Sequence, residues 1–256
     1  LYALFLRNNL VAAANQQANF AQYTSWFVDS WLMAGLIVVN SMTVSLGVLG
    51  LMIADQTGNR LRSFLIAPIS RGTIVSAYVL AAWIIGSALT IMTFILGEIY
   101  IVVNGGELLS GLGMLQVTGL IFLNVFSSTS IIFCIVALIR SEAAYQTFST
   151  ILGTLIGFIS GIYVPIGVLS DPVQAFTKLI PVTYGVALTR QVMMREPISK
   201  MFAGAPQAAV TGFEKYFGSR VYIGDYQCPP VLMILILLLS GLVFLALSVF
   251  IVNRKK

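Results

Sequence analysis

The chain has 256 residues, of which 58% are apolar and only 9% are charged, and its mean hydropathy is +0.95. A soluble globular domain carries roughly a quarter charged residues, so this composition excludes a soluble protein and predicts one embedded in a membrane. The net charge of +5 comes from basic residues scattered between apolar segments, which is typical of membrane edges, and we expect no nucleic-acid partner.

Five long, almost uncharged runs are the predicted membrane helices, because about 20 apolar residues cross the hydrocarbon core as a helix. The runs are residues 31–54, 73–103, 108–139, 143–170 and 229–252. They do not alternate with period two, which favours helices over barrel strands. We interpret residues 1–6 as the end of a further span. The sequence thus predicts an all-α polytopic membrane protein with six transmembrane helices, the first truncated, in a single domain of residues 1–256.

The positions of lysine and arginine predict the orientation, since cytoplasmic loops are rich in them. Near the ends of the runs, the basic residues are Arg60, Arg62, Arg71, Arg140 and residues 254–256. All of these fall on one side of the membrane if each run crosses once. We therefore expect that side, with the carboxyl terminus, to be cytoplasmic, and residues 171–228 to be extracellular.

The loop between the first two full runs carries an amphipathic helix pattern. Leu61, Phe64, Leu65 and Pro68 recur at i, i+3, i+4 and i+7, which places them on one helix face, and two arginines lie off that face. The pattern fits two interpretations, a helix that rests on the membrane surface or one that docks onto a cytoplasmic partner.

Two short apolar pieces follow the fourth full run. Residues 173–181 and 184–190 are separated at Pro181, and each is too short to span, so they predict a re-entrant hairpin on the outer side. Residues 194–229 are more polar and predict a small irregular cap.

Three glycines, Gly153, Gly157 and Gly161, form a G-x-x-x-G-x-x-x-G pattern in the run 143–170. This spacing places small residues on one helix face, where another helix can approach closely. The neighbouring helix belongs either to the same subunit or to a partner subunit.

Glu98 is the acidic residue with long apolar runs on both sides. A carboxylate in the middle of a membrane indicates an ion or proton function. However, Glu98 lies about 37 Å along a straight helix that begins near Thr73, which places it at the outer boundary. We favour the boundary position.

Polar uncharged side chains recur in two runs, where they either join helices by hydrogen bonds or line a substrate path. They are Asn40, Ser41, Thr43 and Ser45 in one run, and Ser149, Thr150, Thr154 and Ser160 in the other.

Several motifs of bond chemistry are absent from the sequence. It has no histidine, no G-x-x-x-x-G-K-[ST] motif and no metal-spaced cysteine cluster. We expect the chain to bind no metal, cofactor or ATP of its own and to be no enzyme.

Two segments carry a resemblance to a known family. RLRSFLIAPISR at 60–71 resembles the cytoplasmic coupling segment of type-2 ABC exporter permeases, in which a leucine-rich helix leads into a small-Pro-hydrophobic-x-Arg turn. GIYVPI at 161–166, followed by PVTY at 181–184 and by Arg190, is similar to the end of that family's fifth helix and its outer re-entrant hairpin. Many members carry an acidic-basic cluster ahead of the coupling helix, which here is reduced to Asp55 and two arginines.

The resemblance implies the permease subunit of a bacterial ABC exporter in the cell membrane. A second permease, identical or homologous, would complete a dimer, and each copy would clasp a cytoplasmic ATP-binding subunit that holds ATP and Mg²⁺. The implied cargo is a drug, lipid, peptide or glycan, and membrane lipids are the other expected partners. The coupling residues would be Arg60, Arg62, Phe64, Leu65, Pro68 and Arg71, and the outer hairpin would include Pro181 and Arg190.

The resemblance also implies a substrate path between the two permeases. It would be lined by the second and fifth helices, which are residues 31–54 and 143–169 here. The candidate lining residues are Asn40, Ser41, Thr43, Ser45, Thr154 and Phe158.

Two other functions fit a polytopic chain. An ATP-independent secondary transporter needs ion-coupling residues within its spans, and the scarcity of intramembrane charge argues against it. The other is a membrane anchor or assembly protein without transport.

Overall fold

A computed structural model of the protein describes residues 7, 10–12, 21–58, 71–159, 161, 164–224 and 226–254. Helices dominate these residues, as the sequence predicts. In chain order the elements are α1 (Ala21–Thr57), α2 (Arg71–Val103), α3 (Gly111–Val136), α4 (Glu142–Ile159), α5 (Asp171–Lys178), α6 (Pro181–Met193), α7 (Arg195–Met201), α8 (Gln207–Tyr216), β1 (Tyr222–Ile223), β2 (Tyr226–Gln227) and α9 (Pro230–Arg254). A 3₁₀ turn at Ile166–Val168 lies between α4 and α5.

Four helices in the described part of the chain are long and apolar enough to cross a membrane. They are α1, α2, α3 and α9, with spans Tyr23–Thr57, Gly72–Val103, Gly111–Val136 and Pro230–Val252. Each contains most of a predicted run, although α1 begins at Ala21, before the run 31–54. The four helices confirm an all-α polytopic membrane protein.

The predicted span 143–170 is shorter in the structure. Helix α4 has 18 residues and ends at Ile159, which gives a length of about 27 Å. Gly161 follows with a φ of +62°, in the left-handed region that ends helices. Pro165 then caps the 3₁₀ turn, and its ring and missing N–H do not fit the interior of a helix. A lack of charge after Ile159 therefore did not mean that the helix continued.

Helix α1 lies at the centre of the bundle and packs against α2, α3, α4, α6 and α7. Helix α6 is almost entirely buried between α1, α3 and α9, although it is too short to span a membrane. Pro181 is its first residue, a position where the missing N–H costs no helical hydrogen bond.

The region predicted as an irregular cap is ordered. It contains α7, α8 and the antiparallel β1–β2 hairpin, in which Tyr222 pairs with Gln227. Phe213 and Phe217 of this region have ring centroids 4.8 Å from that of Phe27 on α1. Val210, Phe213 and Phe217 recur at i, i+3 and i+7, a spacing that could have predicted an amphipathic α8.

The bundle has two distinct ends. The cap end carries α5–α8 and the β hairpin, whereas the end of α1, the start of α4 and the end of α9 meet at the opposite end, where Ile53, Tyr145 and Val252 share one apolar cluster. We call this opposite end the basic end, because Arg140 and Arg254 lie there with the first residue of α2, Arg71.

Candidate functional site

Two of the candidate path residues lie in the contact between α1 and α3. Ser41 and Ser45 are buried. The Ser45 and Thr129 hydroxyl oxygens are 2.8 Å apart, and those of Ser41 and Ser128 are 3.4 Å apart. These two serines join α1 to α3 inside one subunit, and their place on a substrate path stays a prediction.

Asn40 joins α1 to α2 in the same way. Its Nδ2 donates to the Thr93 Oγ1 over 2.9 Å, and the side chain remains partly exposed. Asn40 therefore lies at the edge of the α1–α2 contact.

Thr43 differs from its neighbours because it faces outwards. It is exposed together with Gly47 and Leu51, which follow it at i+4 and i+8 on the same face of α1. Leu46 and Gly50 flank this stripe on the helical wheel, and both contact Tyr145 of α4, whose hydroxyl donates to the Leu46 carbonyl.

Helix α4 continues the same surface. Its exposed side includes Thr147, Thr150, Thr154 and Phe158. The Thr154 hydroxyl donates to the Thr150 carbonyl at 2.9 Å, so its hydrogen is used within the helix while its oxygen stays accessible. We call the exposed residues Thr43, Gly47, Leu51, Thr147, Thr150, Thr154 and Phe158 the α1/α4 face.

The other exposed surfaces of the membrane helices have a different composition. Large aliphatic side chains cover them on α2, α3 and α9. Examples are Ile84, Leu89, Met92, Ile95, Leu112, Leu115, Leu235, Leu239 and Val243. Lipid tails suit such surfaces, whereas a face of threonine and glycine is typical of helix–helix contacts and polar cavities. Ile151 and Leu155 of α4 are exposed beside these residues. The α1/α4 face therefore differs from the lipid-facing surfaces in its threonine hydroxyls and in Gly47, not in a lack of aliphatic side chains.

The three glycines of the predicted packing motif do not share one helix face. Gly153 is exposed, and a Cβ added there would meet nothing within 4 Å. Gly157 is buried, and Gly161 lies beyond the end of α4. Because the helix ends at Ile159, the repeat is reduced to Gly153 and Gly157, and the position of Gly153 is open to a partner.

Glu98 lies near the end of α2 and is buried. Its Oε2 accepts a hydrogen bond of 3.0 Å from the backbone N–H of Leu109, just ahead of α3. The carboxylate thus holds the turn between α2 and α3 at the cap end, and its position at the membrane boundary stays a prediction.

Among the described residues, Arg190 of α6 is the one buried cation, with no exposed surface. Its Nη2 donates to the Gly161 carbonyl at 2.9 Å, and its Nη1 donates to the Phe217 carbonyl at 3.2 Å. The two carbonyl groups belong to residues just after the carboxyl-terminal ends of α4 and α8, where the helix dipole is negative. The guanidinium also lies over the Trp31 ring. One side chain thereby connects α6 with α1, with the break after α4 and with the cap.

A comparison with known families identifies this architecture. A family model described as ABC-2 family transporter protein matches residues 3–250. The chain belongs to the ABC-2 transporter family. It is a permease, the membrane subunit of an ABC transporter, and such subunits work with an ATP-binding subunit. No curated protein matches the chain.

The predicted coupling segment of this permease is outside the described residues. Arg60, Arg62, Phe64, Leu65 and Pro68 all belong to that part, and of Arg71 the structure describes only its place at the start of α2.

The helices that flank the predicted coupling segment are joined at the basic end. The Tyr78 hydroxyl of α2 donates to the Asp55 Oδ2 of α1 over 2.7 Å. The ends of α1 and α2 on this side are thus connected.

The sequence analysis did not predict one ion pair of the permease. Arg7 donates from Nε and Nη2 to the two carboxylate oxygens of Asp29, at 2.7 and 2.8 Å, and Asp29 is 1% exposed. The sequence could have predicted this pair, because each of the two charges borders an apolar run, and a charge inside a membrane needs a partner.

Proposed function

We propose that this permease is the membrane-spanning subunit of an ATP-driven exporter in a bacterial cell membrane. It works as a dimer, the substrate path runs between the two copies, and separate cytoplasmic subunits bind and hydrolyse ATP. The basic end, with the carboxyl terminus, faces the cytoplasm, and the cap end faces outwards.

The composition of the α1/α4 face is the observation that carries this proposal. A single subunit leaves Thr43, Thr150 and Thr154 without a protein neighbour across the face, next to Gly47 and Gly153, which leave room for close approach. A second permease placed against this face would cover the glycines and enclose the hydroxyls. Phe158, 54% exposed, then supplies an apolar wall.

The coupling to ATP rests on the segment 60–71 and on the connected ends of α1 and α2. Closure of the ATP-binding subunits would displace the segment as a rigid body, and α1 would transmit the motion to the path, because α1 contributes to both.

Cross-linking tests the dimer. In a background in which Cys134 and Cys228 are replaced by serine, Thr154→Cys should form a dimer with a short bismaleimide in native membranes. Leu239→Cys, on the aliphatic surface of α9, is the matched control and should stay monomeric. Monomer at both positions contradicts the proposed interface.

A further inference from the structure

A cavity of about 510 Å³ lies within the cap end, away from the α1/α4 face. Its walls come from α6, α7, α8 and the β hairpin, which the permease folds together around Arg190. A volume of this size is in the range of small-molecule sites.

The walls carry an excess of positive charge. Among the described residues, the cavity is lined by Arg190, Arg195 and Arg220 together with a single carboxylate, that of Glu214. The carboxylate is already paired, because its Oε2 accepts a 2.5 Å hydrogen bond from the Arg220 Nε. Arg195 is exposed, and within the described part of the chain it has no ion-pair partner. The cavity thus has a cation at its edge that is available to an anion.

The amino-terminal end of α8 adds to the positive electrostatic potential of the cavity. Gln207, its first residue, and Val210 line the cavity, and Pro206 at the N-cap supplies no side-chain hydrogen bond to the helix. The first N–H groups of a helix and its dipole favour an anion in this position.

The cavity also has an apolar side and a position near the membrane surface. Met194, Ile198 and Phe202 form part of its wall. Pro230, the first residue of the membrane helix α9, lines it as well, so the cavity lies at the level where α9 enters the bilayer. Lipid phosphates lie at this level.

We propose that this cavity binds the phosphate headgroup of an anionic amphiphile. Arg195 contacts the phosphate, the end of α8 provides N–H donors, and the apolar wall receives the first part of the chain. The guanidinium fork of arginine suits phosphate oxygens, which explains arginine at the edge. The site is separate from the α1/α4 face, so the proposal does not depend on the dimer or on transport.

Ligand-induced stabilisation of the purified full-length permease tests the proposal. The probes are dioctanoyl phosphatidylglycerol, dioctanoyl phosphatidylcholine and glycerol 3-phosphate, and the measurement is the apparent Tm as each is titrated. Phosphatidylglycerol should stabilise the wild type at lower concentration than the other two. Arg195→Gln should weaken this response about tenfold, since a charge-assisted hydrogen bond is lost. Arg195→Lys, which keeps the charge, should restore most of it.

Lys215→Gln is the matched control. It removes one positive charge from the other end of α8, where the Lys215 Nζ lies 5.2 Å from the Tyr222 ring centroid and outside the cavity wall. It should leave the response unchanged. An equal response of Arg195→Gln and wild type to phosphatidylglycerol overturns the site. A wild type that responds equally to phosphatidylcholine and to phosphatidylglycerol overturns it as well. If glycerol 3-phosphate stabilises the wild type as well as phosphatidylglycerol does, the ligand is a soluble phosphate, and the proposal of an amphiphile is overturned.

Discussion

The guanidinium carbon of Arg190 lies 4.5 Å from the centroid of the Trp31 ring, and both side chains bond to the same acceptor, the Phe217 carbonyl. The Trp31 Nε1 donates to this oxygen over 2.8 Å. A buried cation is costly unless it is paired, and here helix-end carbonyls and an aromatic face replace its hydration. This pair therefore connects the membrane bundle to the cap.

Arg190→Lys should destabilise the permease although it keeps the charge. An ammonium cannot reach both the Gly161 and Phe217 carbonyls with the planar fork that the structure shows, and a lost charge-assisted hydrogen bond costs about 2 kcal/mol. The measurement is the apparent Tm in detergent. Arg140→Lys, at an exposed position of the basic end, should leave the Tm unchanged, and an equal Tm of Arg190→Lys and wild type would refute the anchoring function of Arg190.

Gly218→Ala should be more harmful than Gly204→Ala. Both glycines have a positive φ, +75° and +82°, so both substitutions carry a backbone cost of about 1 kcal/mol. A Cβ at Gly218 would also lie 2.8 Å from Ile166 and 3.1 Å from the Arg190 Nη1, whereas one at Gly204 would meet nothing. The difference between the two Tm values isolates the steric effect. Equal values would mean that the space around Arg190 adapts freely.

Ser45→Ala and Thr43→Ala separate helix packing from the α1/α4 face. Ser45→Ala should lower the free energy of unfolding by about 0.6 kcal/mol, the average for a hydrogen bond between membrane helices, because Thr129 loses its partner. Within the described part of the chain, the Thr43 hydroxyl donates only to the Val39 carbonyl of its own helix, so Thr43→Ala should leave the Tm unchanged. If Thr43 stabilises the isolated subunit as much as Ser45 does, the face has been assigned incorrectly.

Cysteine labelling tests the orientation. In a serine background at the two native cysteines, a cysteine at Asn59 should be protected from an impermeant maleimide in intact cells, and one at Gly204 should react. Labelling at Asn59 together with protection at Gly204 would show that the topology is inverted.

In the protein with its native cysteines, Cys228 is 1% exposed, and burial raises the pKa of its thiol, an effect that nearby Lys178 partly offsets. Since the thiolate is the reactive form, labelling of Cys228 should be slow at neutral pH and increase as the pH rises.

Local patterns were sufficient for the long helices but not for the contacts between them. Hydropathy located α1, α2, α3 and α9, because a continuous apolar run has few alternatives to a membrane helix. The end of α4 was missed because Gly161 and Pro165 decide it, whereas the prediction followed the absence of charge.

The contacts around Arg190 depend on tertiary structure. Trp31, Gly161 and Phe217 are far apart in sequence, and no local spacing reveals that they surround one guanidinium. The division of the polar α1 residues has the same origin. Ser45 and Thr43 look alike in sequence, and only the position of α3 makes one buried and the other exposed.

The most direct test of ATP coupling is co-purification of the permease with a co-expressed P-loop ATPase subunit, with ATP hydrolysis measured in the complex. Interfaces concentrate their energy in a few aromatic and arginine residues, so Phe64→Ala and Arg62→Glu are the informative variants. Arg140→Glu is the control, since it reverses an exposed charge at the same end. We predict that wild type and Arg140→Glu retain the ATPase, whereas the other two stay folded in the membrane but lose the partner or its stimulated hydrolysis. Full retention of partner and hydrolysis by both Phe64→Ala and Arg62→Glu would contradict the proposed coupling.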